Sequence, residues 1–246
     1  MTKENFTSIN VIIDASGSMA HLSHDTMGNF NTFLKEQKDF PGEAVFTLCT
    51  FNTDYQLPHD FVKIASVPDL SSKTYIPHGG TALLDAMGTT IDSVGKKLAA
   101  LPEEERPSKV IFLIITDGHE NSSHRYSAEQ IKSMVEHQKD VYSWEFVFMG
   151  ANIDAISTGT NLGISAHNTL NYAATAAGTH ELYSTISSSM NNYRSSNSSR
   201  ADFFNGNQQV TLQGIQGAQG SSIVPPVVTT TTTTTTTGGS TGTKGK

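Results

Sequence analysis

Residues 8–18 read Ser-Ile-Asn-Val-Ile-Ile-Asp-Ala-Ser-Gly-Ser, and this stretch sets the expectation for the whole chain. Its apolar half predicts a buried strand, and Asp14, Ser16 and Ser18 follow where that strand ends. Alternate residues can point the same way over a tight turn, and Gly17 relaxes the backbone there. The stretch therefore predicts a cluster of hard oxygen donors at the carboxyl end of a strand.

Strand and helix patterns alternate along the chain, with continuous apolar runs for strands and apolar residues three or four apart for helices. The predicted strands are Ser8–Ile13, Ala44–Phe51, a short edge strand at 61–64, Lys109–Ile115, Val141–Met149 and a last one near 164–170. The predicted helices are Met27–Phe40, Ala82–Leu101, Ala128–His137, a short one at 150–156, and Thr179–Tyr193. Continuous apolar strands indicate a sheet covered on both faces, so we expect a doubly wound, mostly parallel α/β sheet flanked by helices.

Two further loops add oxygen donors near those of the first. Thr81 follows Gly79-Gly80 before a predicted helix, and Asp117 follows the predicted strand Lys109–Ile115. Ligands of such sheets bind beyond the carboxyl ends of the strands, so Asp14 and Asp117 share one rim and are neighbours if their strands are neighbours. Taken singly, Thr81 is typical of a helix N-cap and Asp117-Gly118 of a turn.

The joint arrangement predicts a divalent metal site. Mg²⁺ prefers six oxygen ligands and gives up water reluctantly. Two carboxylates and three hydroxyls leave such an ion electrophilic, so that it can accept a carboxylate from another molecule. The candidate ligands of Mg²⁺ (or Mn²⁺) are Asp14, Ser16, Ser18, Thr81 and Asp117.

These elements resemble the metal-ion-dependent adhesion site of von Willebrand factor type A (VWA) domains, over roughly residues 5–193. The resemblance implies a Rossmann-like VWA fold. It also implies that the two serines and the threonine ligate the metal directly, that the aspartates often act through water, and that an Asp or Glu of a partner protein completes the coordination. Residues 148–155, Phe-Met-Gly-Ala-Asn-Ile-Asp-Ala, resemble small stand-alone bacterial and phage members of this adhesion-related family.

Several polar residues lie near the candidate ligands in sequence. His21, His78 and His119 could be extra ligands or a general base, but we expect solvated loop histidines, because imidazole suits Mn²⁺ or Zn²⁺ better than Mg²⁺. Asp85 could orient the site from outside the ligand set, or complement the positive end of its helix, and we favour the second. Cys49, the single cysteine, is expected to be a small buried hydrophobe in a strand.

The charge composition of the chain limits the classes of partner that it can bind. The net charge is -7 and the 16 Lys and Arg are scattered, which argues against nucleic acid and membrane surfaces. The N-terminal residues lack the apolar core of a signal peptide, and no apolar run is long enough to span a bilayer. We therefore expect a cytoplasmic protein, or a virion-associated one if the chain is of phage origin.

Composition also divides the chain. Residues 1–195 are expected to form the VWA domain, and residues 196–246, rich in Gly, Gln and Thr with nine consecutive threonines, a disordered tail or tether. The alternative is a tail that orders against an assembly partner. Its apolar anchors would be Phe203, Phe204, Val210, Leu212 and Ile215.

These observations favour a metal-dependent protein-binding module that is not an enzyme. The first alternative is a structural protein of an assembly such as a phage particle, attached through the tail. A magnesium-dependent hydrolase with Asp14 as nucleophile is the second. It is disfavoured because no second catalytic group and no Walker-type phosphate loop accompany Asp14.

Overall fold

The computed structural model describes residues 2–196 together with Phe203 and Phe204. The strands are β1 (Lys3–Asp14), β2 (Glu43–Phe51), β3 (Tyr55–Lys63), β4 (Pro107–Thr116), β5 (Glu145–Gly150) and β6 (Thr169–Asn171). The α-helices are α1 (Ser23–Asp39), α2 (Leu83–Ala100), α3 (Ala128–Tyr142), α4 (Ala155–Asn161) and α5 (Ala176–Ser195). Within the described part of the chain, no helix has the length and apolarity needed to cross a membrane.

The strands form a single twisted layer in the order β3-β2-β1-β4-β5-β6. All neighbouring pairs are parallel except β2 and β3, which are antiparallel. The predicted doubly wound, mostly parallel sheet is therefore confirmed. Because β1 lies directly beside β4, with Ile13 opposite Ile115, the residues that follow these two strands emerge next to each other at one rim.

Helices cover both faces of the sheet, as the continuous apolar strands predicted. In β1, Ile9, Val11 and Ile13 face a core shared with α1 and α5, whereas Ile12 faces a core shared with α2 and α3. Side chains alternate between the faces of a strand, so one strand supplies both cores. Cys49 is 0% exposed in β2, which confirms the expected buried strand residue, and burial raises the pKa of its thiol to about 12.

The structure corrects two predicted boundaries on either side of β5. The strand predicted from Val141 begins at Glu145, because α3 continues to Tyr142 and ends where Ser143 adopts a left-handed conformation with φ 55°. The helix predicted at 150–156 begins at Ala155. Its N-cap is Asp154, whose side chain accepts a hydrogen bond from the backbone N–H of Ser157.

Two residues beyond the predicted domain boundary pack into the core. Phe203 is 5% exposed and Phe204 0%, and their backbone N–H groups donate to Asn168 Oδ1 at 2.9 Å and to the His167 carbonyl at 3.1 Å. These two side chains are therefore buried within the domain. The rest of the predicted tail after Ser196 lies outside the described residues.

Candidate metal site at the carboxyl end of the sheet

The first and third predicted loops are in direct contact at the rim. Ser16 Oγ lies 2.9 Å from Ser18 Oγ, and Ser18 Oγ donates a hydrogen bond of 2.5 Å to Asp117 Oδ1. Ser18 is exposed, whereas Ser16 and Asp117 are each 2% exposed. This contact joins residues 99 apart in sequence, and it follows from the adjacency of β1 and β4.

Asp14 lies beneath this contact and is fully buried. Its Oδ1 accepts the backbone N–H of Ser16 at 2.7 Å, and its Oδ2 accepts the hydroxyl of Thr116 at 2.6 Å. The Tyr75 hydroxyl donates to the Asp14 carbonyl at 2.6 Å. Burial raises the pKa of the Asp14 carboxyl, while the hydrogen bonds from Thr116 and Ser16 oppose that shift.

Asp117 carries an unsatisfied oxygen. Among the described residues, its Oδ2 is buried and has no hydrogen-bond partner. Burial raises the pKa of the Asp117 carboxyl, and the Ser18 hydroxyl and the nearby His21 oppose that shift. A buried carboxylate oxygen without a donor is costly, and a cation would relieve the cost. This atom is therefore the strongest local indication that the site accepts a positive charge.

The second loop reaches the same place. The Gly17 N–H donates to the Gly79 carbonyl at 3.1 Å, which ties the first loop to the second. A Cβ atom added to Gly118 would lie 3.4 Å from Thr81 Oγ1 and 3.6 Å from Ser18 Oγ, so both hydroxyls border this glycine. Thr81 is not the N-cap of α2: the cap position is Ala82, whose own side chain makes no capping hydrogen bond.

The three histidines near the site engage other groups or solvent. The His21 ring lies 2.7 Å from the Ser18 carbonyl through Nδ1, and the His78 ring lies 2.8 Å from the Ile76 carbonyl. Both side chains are exposed, as is His119. The placement agrees with solvated loop histidines at the rim.

Sequence reasoning missed the residues that hold the loops in place. Thr116 orients Asp14, and Asn121 bonds to Thr81, but neither was singled out. Asp85 lies in the first turn of α2, where it was expected to complement the helix, and it also accepts three hydrogen bonds of 2.9–3.0 Å from the backbone N–H groups of residues 124–126. Its position in the first turn of α2 was the only sequence signal for that role.

The donor set indicates the kind of cation that would fit. Across the described residues, no group of three or more His, Cys, Asp or Glu side chains gathers in a way that could hold a metal. The candidate site instead combines two carboxylates with three hydroxyls. Such an all-oxygen set suits a hard cation such as Mg²⁺ or Mn²⁺, and it offers no nitrogen or sulfur ligand of the kind Zn²⁺ usually takes.

Comparison with known proteins assigns the fold. No protein-family model and no curated sequence matches the chain. Solved structures do match. A von Willebrand factor type A protein from Catenulispora acidiphila is 14% identical, with 76% of this chain and 42% of that one covered and a TM-score of 0.50. The PilB minor pilin from Streptococcus sanguinis is 12% identical, with 75% and 61% covered and a TM-score of 0.54, and proximal thread matrix protein 1 from the mussel byssus, with a zinc-occupied MIDAS motif, is 17% identical, with 75% and 46% covered and a TM-score of 0.52.

The chain thus spans 42–61% of the length of these proteins, at identities of 12–17%. Likeness at this level establishes the fold alone. Together with the strand order, it shows that residues 2–196 adopt the Rossmann-like VWA fold.

Proposed function

We propose that this chain is a divalent-metal-dependent protein-binding module. Its metal would be held by Asp14, Ser16, Ser18, Thr81 and Asp117, and an Asp or Glu of a partner protein would complete the coordination. The observation that carries the proposal is the buried Oδ2 of Asp117, which lies beside the Ser16–Ser18 hydroxyl pair and has no hydrogen-bond partner in the described part of the chain. When bound, Mg²⁺ or Mn²⁺ supplies a positive centre that an outside carboxylate can ligate.

The layering of the site supports recognition from outside. The two carboxylates are buried, whereas Ser18 and Gly17 above them are exposed. Ser16 and Thr81 are as buried as Asp117, so Ser18 is the candidate ligand that borders solvent, and a partner would approach from its side. The mussel protein, which has the same fold, holds zinc in its MIDAS motif. For this chain we favour Mg²⁺ or Mn²⁺, because its candidate ligands are all oxygens.

We further propose that the site is not catalytic. A hydrolase would use Asp14 as its nucleophile, but this side chain is 0% exposed and each of its oxygens already accepts a hydrogen bond. A nucleophile must reach its substrate, and these contacts support an orienting role instead. Turnover of a generic phosphate ester by the purified protein, lost in Asp14→Ala, would support the hydrolase.

The proposal is tested by metal titration and by capture. We expect calorimetry of the full chain to detect Mg²⁺ or Mn²⁺ binding that is lost in the double variant Asp14→Ala/Thr81→Ala. Immobilised full chain should capture a protein in Mg²⁺ but not in EDTA, and the double variant should capture nothing in either. No heat from either metal at millimolar concentration would overturn the proposal.

The same capture experiment distinguishes the metal-dependent binding module from a structural protein of an assembly. Removal of residues 205–246 leaves the described core and the candidate site intact in sequence. Capture that survives EDTA but disappears with this truncation would favour a structural protein attached through its tail. Capture that survives the truncation and disappears in EDTA would favour the metal site.

A further inference from the structure

Thr81, the candidate ligand of the second loop, is held on both sides of its backbone by one short segment. Its N–H donates to Asn121 Oδ1 at 2.9 Å. Its carbonyl accepts the N–H groups of Asn121 at 3.0 Å and of Ser122 at 3.2 Å. Asn121 therefore fixes the peptide groups on both sides of the Thr81 side chain. It does so from another loop, the one that carries Asp117, four residues after that aspartate.

The sequence around Thr81 is adapted to this contact. A Cβ atom on Gly80 would lie 2.8 Å from Asn121 Oδ1 and closer still to Ser122 Oγ, so only glycine permits the approach. Gly79 has a φ of +72°, and its N-terminal neighbour His78 is itself held by a bond from its N–H to the Ala15 carbonyl at 2.9 Å. The Gly-Gly-Thr stretch is thus shaped to pass between the first loop and Asn121.

The segment that carries Asn121 is itself anchored on α2. The Glu120 carboxylate accepts the N–H of Leu84 at 3.0 Å and those of Ser122 and Ser123 at 2.9 and 2.7 Å. Asp85 binds the next three residues in the same way. Asn121 therefore projects from a fixed platform, and fixing its amide oxygen also fixes Thr81.

We infer that Asn121 is a positioning residue of the metal site, which sets Thr81 before the ion arrives. The inference rests on the proposed function. Without the amide oxygen, the Thr81 N–H loses its acceptor and only the carbonyl side of Thr81 stays held. The remaining ordering of Thr81 would then take place when the metal binds, and its cost would be subtracted from the affinity. Removing partners that orient metal ligands typically lowers metal affinity by about 10- to 100-fold.

The chain offers a matched control. Asn31 holds the backbone of Leu70 in a comparable way, here through its side chain alone: its Oδ1 accepts the Leu70 N–H at 2.7 Å and its Nδ2 donates to the Leu70 carbonyl at 2.9 Å. Leu70 is not one of the candidate metal ligands. Asn31→Leu removes both hydrogen bonds to Leu70, whereas Asn121→Leu removes the acceptor of the Thr81 N–H and leaves the two backbone bonds to the Thr81 carbonyl. A loss of metal affinity confined to Asn121→Leu therefore reports on Thr81 rather than on general loop stability.

The test is Mn²⁺ titration of the full chain by calorimetry, with the melting temperature measured in EDTA. We expect Asn121→Leu to lower the affinity about 10- to 100-fold. Asn121→Asp keeps the acceptor oxygen and should bind at least as tightly as wild type. Asn31→Leu should lower the melting temperature in EDTA at least as much as Asn121→Leu does, because it removes two hydrogen bonds to one backbone, but it should leave the affinity near that of wild type.

Each result is decisive. Wild-type affinity in Asn121→Leu, or an equal loss in Asn31→Leu, overturns the positioning role while the proposed function stands. Failure of Asn121→Asp to restore binding also overturns it. Absence of Mn²⁺ binding by the wild-type chain overturns the proposed function and this inference together.

Discussion

Two pairs of acidic residues at the same rim of the sheet have opposite surroundings. The inner pair, Asp14 and Asp117, is buried among hydroxyl groups, and burial raises the pKa of both carboxyls. The outer pair, Asp85 and Glu120, accepts six hydrogen bonds from backbone N–H groups. The donors for the outer pair come from the chain itself, whereas Asp117 Oδ2 has none within the described residues.

The difference shows that the partners of a carboxylate, rather than its position on a rim, decide whether it can serve a cation. Burial would raise the pKa of Asp85, but the N–H groups of residues 124–126 outweigh burial and hold that pKa below its ordinary value. Such a carboxylate is already compensated and organises the loop. An incompletely compensated carboxylate such as Asp117 is costly when ionised, unless a cation joins it.

The largest effect on metal affinity is expected when one carboxylate of the inner pair, that of Asp117, is replaced by a neutral amide. Asp117→Asn keeps an oxygen that can accept the Ser18 hydroxyl, but it removes the charge that would hold the metal. We expect metal affinity to fall by more than about 100-fold, beyond the range for residues that only orient ligands. In EDTA the melting temperature should equal or exceed that of wild type, because a neutral amide costs less to bury than a carboxylate. Calorimetry and thermal melting with and without Mg²⁺ measure both quantities.

The same substitution in the outer pair should give the reverse pattern. Asp85→Asn keeps an oxygen that can accept the N–H groups of Arg125 and Tyr126, but it replaces the oxygen that accepts the His124 N–H by an NH₂ group, which cannot accept. We expect the free energy of unfolding in EDTA to fall by about 1–2 kcal/mol. Metal affinity should fall far less than in Asp117→Asn, because Glu120 still holds the segment that carries Asn121. Urea denaturation and Mn²⁺ titration test this, and a loss of metal binding as large as that in Asp117→Asn would erase the distinction between the pairs.

Sequence reasoning located the inner pair because each member follows a strand. The apolar runs that end at Asp14 and just before Asp117 predict buried strands, and a parallel sheet places their carboxyl ends at one rim. The sequence left open whether the two strands are neighbours. The order β1-β4 supplies that adjacency, since it brings Ser18 and Asp117 together across 99 residues.

The sequence drew attention to Asp85, but the hydrogen bonds of the outer pair could not be predicted from it, for a physical reason. Asp85 and Glu120 act on backbone N–H groups of an irregular loop, and the path of such a loop follows no hydrophobic period. The boundary at β5 failed for a related reason. Val141 and Tyr142 suit a strand by composition, yet they are the last residues of α3, because the helix ends only where Ser143 turns left-handed.

The smallest effect expected is a difference in pH dependence between the two pairs. The folded-state pKa of Asp117 lies above its ordinary value of 3.8, so its ionised form destabilises the metal-free protein at neutral pH, and that penalty disappears as the pH falls toward 3.8. The folded-state pKa of Asp85 lies below 3.8, so its stabilisation is complete above 3.8 and is lost only as the pH falls further. Urea denaturation in EDTA should therefore show two differences in the free energy of unfolding as the pH is lowered from neutral. The extra stability of Asp117→Asn over wild type should already be lost by the time the pH reaches 3.8. The lower stability of Asp85→Asn should persist to pH 3.8 and be lost only below it. If both variants reach the stability of wild type in the same pH range, Asp117 and Asp85 have comparable surroundings and the contrast between the two pairs is wrong.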